Sequence, residues 1–235
     1  MKTLENARYC RLFDDGGAVL EDMKFHKCSF IHSGISLTSD LNRMSKVRNI
    51  ELTDCNFDGC QTGPMVLSNV TISNLKTSDL FIVWCPYLDQ VKLSGTVGRM
   101  KINATADPST FGNDKQKPFD DYRAKFYSNV DWALDISEAR FKEFDIDGVP
   151  SRLVRRDPES QIIVTRERAL YVATPGWETK MKLSDTHLPF TINQFLSDGD
   201  AEIILVAPLG AAKAERDSML QGLRELRSIG MAEPD

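Results

Sequence analysis

The chain has 235 residues, of which 41% are apolar and 27% charged, with a formal net charge of −5. That apolar content excludes a disordered chain, and the lack of a basic stripe argues against a protein that binds nucleic acid. Charged residues occur throughout the first twenty positions, so no signal peptide is expected, and no apolar run approaches the ~20 residues of a membrane span. We therefore expect a soluble, cytoplasmic protein with neither nucleic-acid nor membrane partners.

A five-residue pattern begins at Ala18 and runs through AVLED, MKFHK, CSFIH and SGISL. It returns as IELTD, CNFDG and CQTGP at 50–64, as VTISN, LKTSD, LFIVW and CPYLD at 70–89, and as LDISE, ARFKE and FDIDG at 134–148. Most pentads are apolar at their first and third residues, whereas a half-buried strand alternates with a period of about 2 and a helix with about 3.6. The pattern predicts a mainly β solenoid over 18–148, with unrelated strands in a sandwich as the alternative.

The third residue of each pentad is expected to point into the solenoid, together with the first. The apolar third residues are Leu20, Phe25, Phe30, Ile35, Leu52, Phe57, Ile72, Ile82, Tyr87, Leu93, Ile102, Ile136, Phe141 and Ile146. Stacking of such coils would bury these side chains and pair each strand with its counterpart in the next coil.

The pentads AVLED, CNFDG and ARFKE resemble the motif of the pentapeptide-repeat family: a small residue, Asp or Asn, Leu or Phe, and two polar residues. The resemblance lies within 18–148. It implies a right-handed parallel β-helix in which four pentads form one square turn. Large residues at first positions, such as Met23, Val70 and Leu75, leave open whether the cross-section is square or irregular.

The pattern is interrupted at 38–49, 63–69 and 104–133. The last interruption is predicted to be an insertion whose second half, Pro118 to Ser128, forms a helix with Phe119, Tyr122 and Phe126 on one face. We thus expect a β-helix over 1–148 that carries this insertion.

Residues 151–235 follow a different pattern and predict a small α+β domain. Strands are expected at Ile162–Val164 and Ile203–Val206, and helices near Thr191–Leu196 and from about Ala211 to Ile229. This segment would form a cap on the last coil, because an open coil leaves an unpaired sheet edge. A segment that forms a homodimer is the alternative.

Chemical motifs are scarce in the sequence. The five cysteines, Cys10, Cys28, Cys55, Cys60 and Cys85, form no CxxC pair, and the last four are interpreted as small buried residues of the pentads. Asp145 and Asp147 flank Ile146 and are interpreted as part of a solvated face. We therefore predict a protein that is not an enzyme and has neither a metal ion nor a cofactor.

One pair of pentads, LFIVW and CPYLD, has apolar residues at positions expected to point outward: Phe81, Val83, Trp84 and Leu88. An exposed apolar patch often marks a contact with another molecule, so these four residues are the candidate partner-binding site. Coverage of the patch by the 118–128 helix is the alternative.

The function expected from these features is that of a non-enzymatic, protein-binding solenoid. The resemblance adds a specific version, a bacterial toxin-neutralising protein of the immunity type. A DNA-mimicking protein that binds a topoisomerase is an alternative implied by the same resemblance, but the mixed charges of the outward positions count against it. A carbohydrate-active β-helix enzyme is a third alternative, which neither chain length nor acid clustering supports.

Overall fold

The structure is a computed structural model that describes residues 1–106, 113–180 and 187–234. The chain is mainly β, with strands β1 (Lys2–Glu5), β2 (Arg8–Cys10), β3 (Val19–His26), β4 (Ser29–Ile31), β5 (Gly34–Ile35), β6 (Ser45–Thr53), β7 (Asn56–Asp58), β8 (Gln61–Thr62), β9 (Met65–Ser73), β10 (Lys76–Thr77), β11 (Phe81–Trp84), β12 (Pro86–Asn103), β13 (Leu134–Ile146), β14 (Val154–Arg155), β15 (Gln161–Thr165) and β16 (Glu202–Val206). The helices are α1 (Asn113–Tyr127), α2 (Arg166–Val172), α3 (Leu188–Asp198) and α4 (Lys213–Ser228).

The largest sheet has eight parallel strands in the order β1-β3-β6-β9-β12-β13-β14, with β11 also paired to β12. Ile50, Val70 and Val91 are aligned across neighbouring strands, so the chain returns to the same point of the sheet after 20 and then 21 residues. Two of the connections between neighbouring strands are longer: the chain takes 27 residues from Met23 to its partner Ile50, and 43 residues from Val91 to its partner Leu134. The first of these connections contains a 3₁₀ turn and the second contains α1.

A second parallel sheet, in the order β10-β7-β4-β2, and the parallel pair β5-β8 accompany the large sheet. Residues with left-handed backbone conformation recur at five-residue steps, both within the longer strands and between strands. They include Asp22, Lys27 and His32, then Asn49, Asp54 and Gly59, then Cys85, Gln90 and Gly95. A left-handed residue redirects the chain sharply and is costly for a residue with a Cβ atom. The five-residue spacing of the sequence thus corresponds to a five-residue spacing of backbone turns.

The main hydrophobic core lies between these sheets. Phe141, Leu134 and Ile136 are fully buried in it, and Phe25, Phe30 and Phe57 pack against it. Tyr9, Phe30, Phe57 and Phe81 form a continuous row of rings, whose neighbouring centroids are 5.1, 5.4 and 5.2 Å apart. Such spacings are those of favourable aromatic pairs.

The alternation predicted for the pentads at 80–89 is wrong by one residue. Phe81 and Val83 pair with Met100 and Ile102 of β12 and pack into the main core, whereas Ile82 was expected to do so. Tyr87 is fully buried, but it lies in a second cluster, against α1.

Helix α1 begins at Asn113, before the expected start at Pro118, and ends one residue short of Ser128. The predicted turn-forming segment that precedes it lies partly at 107–112, outside the described residues. Phe119 is buried, and the Tyr122 and Phe126 rings lie 4.7 and 5.6 Å from the Tyr87 ring. The apolar face of the helix is therefore covered by the large sheet.

The C-terminal residues form an antiparallel pair, β15 and β16, surrounded by α2, α3 and α4, with a hydrophobic cluster of their own. They are fixed to β13, because the Gln161 side chain donates a hydrogen bond to the Ile136 carbonyl oxygen at 2.9 Å. The parallel sheet extends to Val154 and Arg155, beyond the expected end at residue 148. The short helix α2 was not expected from the sequence.

Candidate binding cleft

The predicted partner site is not a surface patch. Val83 and Leu88 are buried, and the half-buried Phe81 ring lies against Phe57 inside the core. The inward alternation is shifted by one residue along β11 and the start of β12, so Phe81, Val83 and Leu88 point into the core; the expectation that they point outward is wrong. Trp84 is half-buried, as Phe81 is, and it lies beside a cleft of about 490 Å³ that Thr62 and Gly63 also line.

The outer face of the large sheet has paired charges. Opposite charges on neighbouring strands meet at 2.7 to 3.6 Å, in the pairs Lys24–Glu51, Arg48–Glu21, Lys92–Glu138, Arg99–Glu143 and Lys101–Asp145. Exposed pairs of this kind contribute little to stability. They do neutralise the face, and a neutral face does not imitate the phosphate backbone of DNA.

A cleft lies where the C-terminal residues meet the end of β13. Its volume is about 410 Å³, and its walls come from the end of β13, from α3 and from β16. A neighbouring cleft of about 290 Å³ extends along 146–151 and shares Asp147, Asp200 and Glu202 with the first. Together they form one groove along the junction, which we call the junction cleft.

Carboxylates gather on one side of the junction cleft. Asp147 follows β13, Asp198 ends α3, and Asp200 stands between α3 and β16. Within the described parts of the chain, no lysine or arginine lies within 4.0 Å of the Asp147 or Asp200 carboxylate oxygens. Burial and the negative charges of Asp147 and Asp198 raise the pKa of Asp200, although Arg166 partly offsets them.

Glu202 has a different role in the junction cleft. Its carboxylate accepts hydrogen bonds from the Ser151 backbone nitrogen at 2.7 Å and from the Ser151 hydroxyl at 2.6 Å. Charge-assisted bonds of this length are among the stronger ones in proteins. Glu202 therefore fixes β16 to the chain that follows β13, and it holds the two walls of the cleft together.

Apolar side chains line another part of the cleft, next to Thr191 and Gln194. Phe190 on α3 is 72% exposed, while Phe195 on the same helix is buried in the C-terminal cluster. Ile203 and Met219 continue this wall and are half-buried. The cleft thus offers an exposed aromatic ring next to carboxylates that form no direct ion pair, with Lys101 on its wall already paired to Asp145. This combination suits a ligand that is both cationic and apolar.

A second group of polar residues, around Cys85, has a structural role. The mostly buried Arg123 side chain donates to the Cys85 sulfur at 3.3 Å and to Asp120 at 2.6 Å. Burial raises the pKa of the Cys85 thiol, which keeps it in the unreactive protonated form. No cluster of three or more His, Cys, Asp or Glu side chains suited to a metal ion occurs among the described residues.

The sequence singled out only part of this site. It identified Asp147 as a carboxylate of a solvated face, and it missed Asp198, Asp200 and Phe190. The available signal was the run Asp198-Gly199-Asp200, in which Gly199 has a left-handed conformation that ends α3 and places two acids close together. Its proximity to Asp147 depends on how the C-terminal residues pack on β13, which no local pattern reveals.

Comparison of the chain with protein-family models, with curated proteins and with solved structures gives no match. None of the helices in the described part of the chain is long and apolar enough to cross a membrane.

Proposed function

We propose that this chain is a right-handed parallel β-helix of the pentapeptide-repeat type, with a helix-containing insertion at 104–133 and an α+β cap at 151–235. The return of the chain to the same sheet position after 20 or 21 residues supports the stacked coils, as does the five-residue spacing of left-handed residues. The hydrogen bond from Gln161 to β13 supports the cap, since it attaches the C-terminal residues to a late strand of the sheet.

The function proposed for this scaffold is non-enzymatic binding of another protein, in the cytoplasm. The single observation that carries it is the junction cleft, where exposed Phe190 lies beside Asp147 and Asp200. Carboxylates that are not held in a direct ion pair attract a positively charged partner and disfavour neutral or acidic ones. An aromatic side chain in such a place is a common energetic centre of an interface.

The partner expected is a protein segment that carries lysine or arginine next to an apolar side chain. Its cation would lie between Asp147 and Asp200, and its apolar side chain would pack on Phe190. Neutralisation of a basic segment of a toxin is the specific version of this function that agrees with the family resemblance. Charges on the outer face of the large sheet are already paired. We therefore expect the junction cleft to contribute most of the selectivity for a positively charged partner.

The test compares three proteins as baits in native cell lysate, with quantitative mass spectrometry of what each retains. They are the wild type, the cleft variant Asp147→Asn/Asp200→Asn, and the control variant Asp15→Asn/Asp79→Asn, which removes the same charge from exposed carboxylates elsewhere. We expect one protein at stoichiometric amounts with the wild type and the control, and its loss with the cleft variant. Equal recovery by all three baits would refute the proposal.

A further inference from the structure

The main core contains a cavity of about 210 Å³ between the large sheet and the smaller parallel strands. Close packing leaves most protein interiors with few voids larger than a water molecule, so a cavity of this size is unusual. Its wall extends from Leu20 on β3 to Leu134 on β13 and includes Val70, Leu88 and Val91.

The described residues that form the wall of this cavity offer no free polar side chain. Thr62 is the one polar residue along it, and its hydroxyl is already engaged, because it donates to the Ile82 carbonyl oxygen at 3.3 Å and accepts from the Trp84 nitrogen at 3.0 Å. A buried water needs about two to four polar partners, whereas apolar cavities of about 150 Å³ stay dry and accept benzene or xenon. The wall therefore disfavours water and favours a neutral apolar molecule.

One end of the cavity approaches solvent. Leu20, Phe25 and Phe30, on strands β3 and β4, are only half-buried. At the opposite end Val91 and Leu134 are fully buried. An apolar molecule would therefore enter from the side of the first strands, by displacing half-buried side chains.

We propose that this cavity is a binding site for a small, neutral, apolar molecule, such as an aromatic hydrocarbon or a short alkyl chain. The site is independent of the junction cleft, because the two share no lining residue. Its selectivity follows from the wall: a hydroxyl or a charge on the ligand would lose its water without gaining a hydrogen bond.

The test uses benzene as the probe and phenol as its polar counterpart. Binding is measured on the full chain by the saturable rise of the melting temperature and by NMR titration. We expect benzene to bind saturably with one molecule per chain, and phenol to bind at least tenfold more weakly. Absence of saturable benzene binding, or equal affinity for phenol, would overturn the proposal without bearing on the junction cleft.

A matched pair of variants locates the site. Val70→Leu/Val91→Leu adds carbon to the cavity wall, and Val19→Leu makes the same change at an exposed position of β3. The filled variant should lose benzene affinity at least tenfold while Val19→Leu retains it. Unchanged benzene affinity in the filled variant would refute the location. If that variant fails to fold, the benzene–phenol comparison on the wild type decides alone.

Discussion

The hydroxyl of Tyr87 donates a hydrogen bond to the backbone carbonyl oxygen of Phe119 across 3.0 Å, which joins strand β12 to helix α1. Both side chains are buried in the same cluster. The contact fixes the insertion to the large sheet at a place where the sequence offered only a row of aromatic residues.

The substitution Tyr87→Phe removes this bond and retains the ring packing. We expect a loss of about 1 kcal/mol in the free energy of unfolding, measured by urea titration. Limited proteolysis should cut residues 104–133 faster than in the wild type. Unchanged stability and unchanged proteolysis would show that the bond does not hold α1.

The stability of Tyr87→Phe should also depend less on alkaline pH than that of the wild type. Burial, with smaller contributions from Cys85, raises the pKa of Tyr87 in the folded chain. The unfolded phenol ionises near pH 10, so above that pH the unfolded state binds fewer protons and folding stability falls. The wild type should therefore lose more stability than Tyr87→Phe between pH 8 and pH 10.5, as measured by urea titration at each pH.

The environment of Asp14 predicts how the stability of the fold changes at acidic pH. Burial alone would raise the pKa of Asp14, but hydrogen bonds from the Ser45 hydroxyl at 2.5 Å and from the Ser36 and Gly16 nitrogens outweigh it and lower the pKa. This contribution to stability is present above the unfolded pKa of about 4 and is lost as the pH falls through the lower folded value.

Replacement Asp14→Asn should therefore destabilise the protein at pH 7 by about 1.5–3 kcal/mol, with a smaller difference near pH 3. Chemical unfolding at both pH values measures the two differences. The exposed neighbour Asp15 supplies the control, since Asp15→Asn should change stability by less than about 0.5 kcal/mol. A loss that is the same at both pH values would argue against a charged Asp14 as its cause.

The cysteines should react at different rates with a thiol reagent in the native protein. Cys10 is exposed and should react first, Cys60 is half-buried, and Cys28, Cys55 and Cys85 are buried. Burial raises the pKa of Cys55 and Cys85, which further slows them. Mass spectrometry after brief labelling should find Cys10 modified and these three protected; rapid labelling of the three would contradict the packing described.

Phe57 lies within the row of aromatic rings, between Phe30 and Phe81. Its replacement by Ala removes two ring contacts and enlarges the core cavity, so we expect a loss of about 3–5 kcal/mol in the free energy of unfolding. Thermal and chemical unfolding measure it. Asn56→Ala changes the neighbouring residue and should cost less than half as much, and wild-type melting of Phe57→Ala would contradict the inward orientation of this ring.

The five-residue spacing was visible in the sequence because each turn of the backbone imposes its own apolar positions. The spacing failed at β11, where Phe81, Ile82, Val83 and Trp84 are all apolar and either alternation fits. Only the pairing of Phe81 with Met100 settles which side chains point inward. A local pattern lacks that information, since the partner strand lies almost twenty residues further along the chain.

The junction cleft was beyond sequence reasoning for a related reason. Asp147 and Asp200 are more than fifty residues apart and meet only because β16 packs beside the end of β13. Helix α2 was missed because its seven residues begin with Arg-Glu-Arg and show little apolar periodicity. Strands β15 and β16 and helices α3 and α4 were foreseen, since each has a clear apolar run or stripe.

The most direct test of the binding proposal is site-specific photo-crosslinking. A photoreactive phenylalanine analogue replaces Phe190, which is 72% exposed in the junction cleft, or Tyr171, which is 87% exposed on α2 and does not line the cleft. In native lysate we expect position 190 to give one discrete adduct that disappears with Asp147→Asn/Asp200→Asn and weakens at high salt, and position 171 to give none. Equal adducts from both positions, or an adduct at 190 that is insensitive to the two carboxylates, would contradict the account.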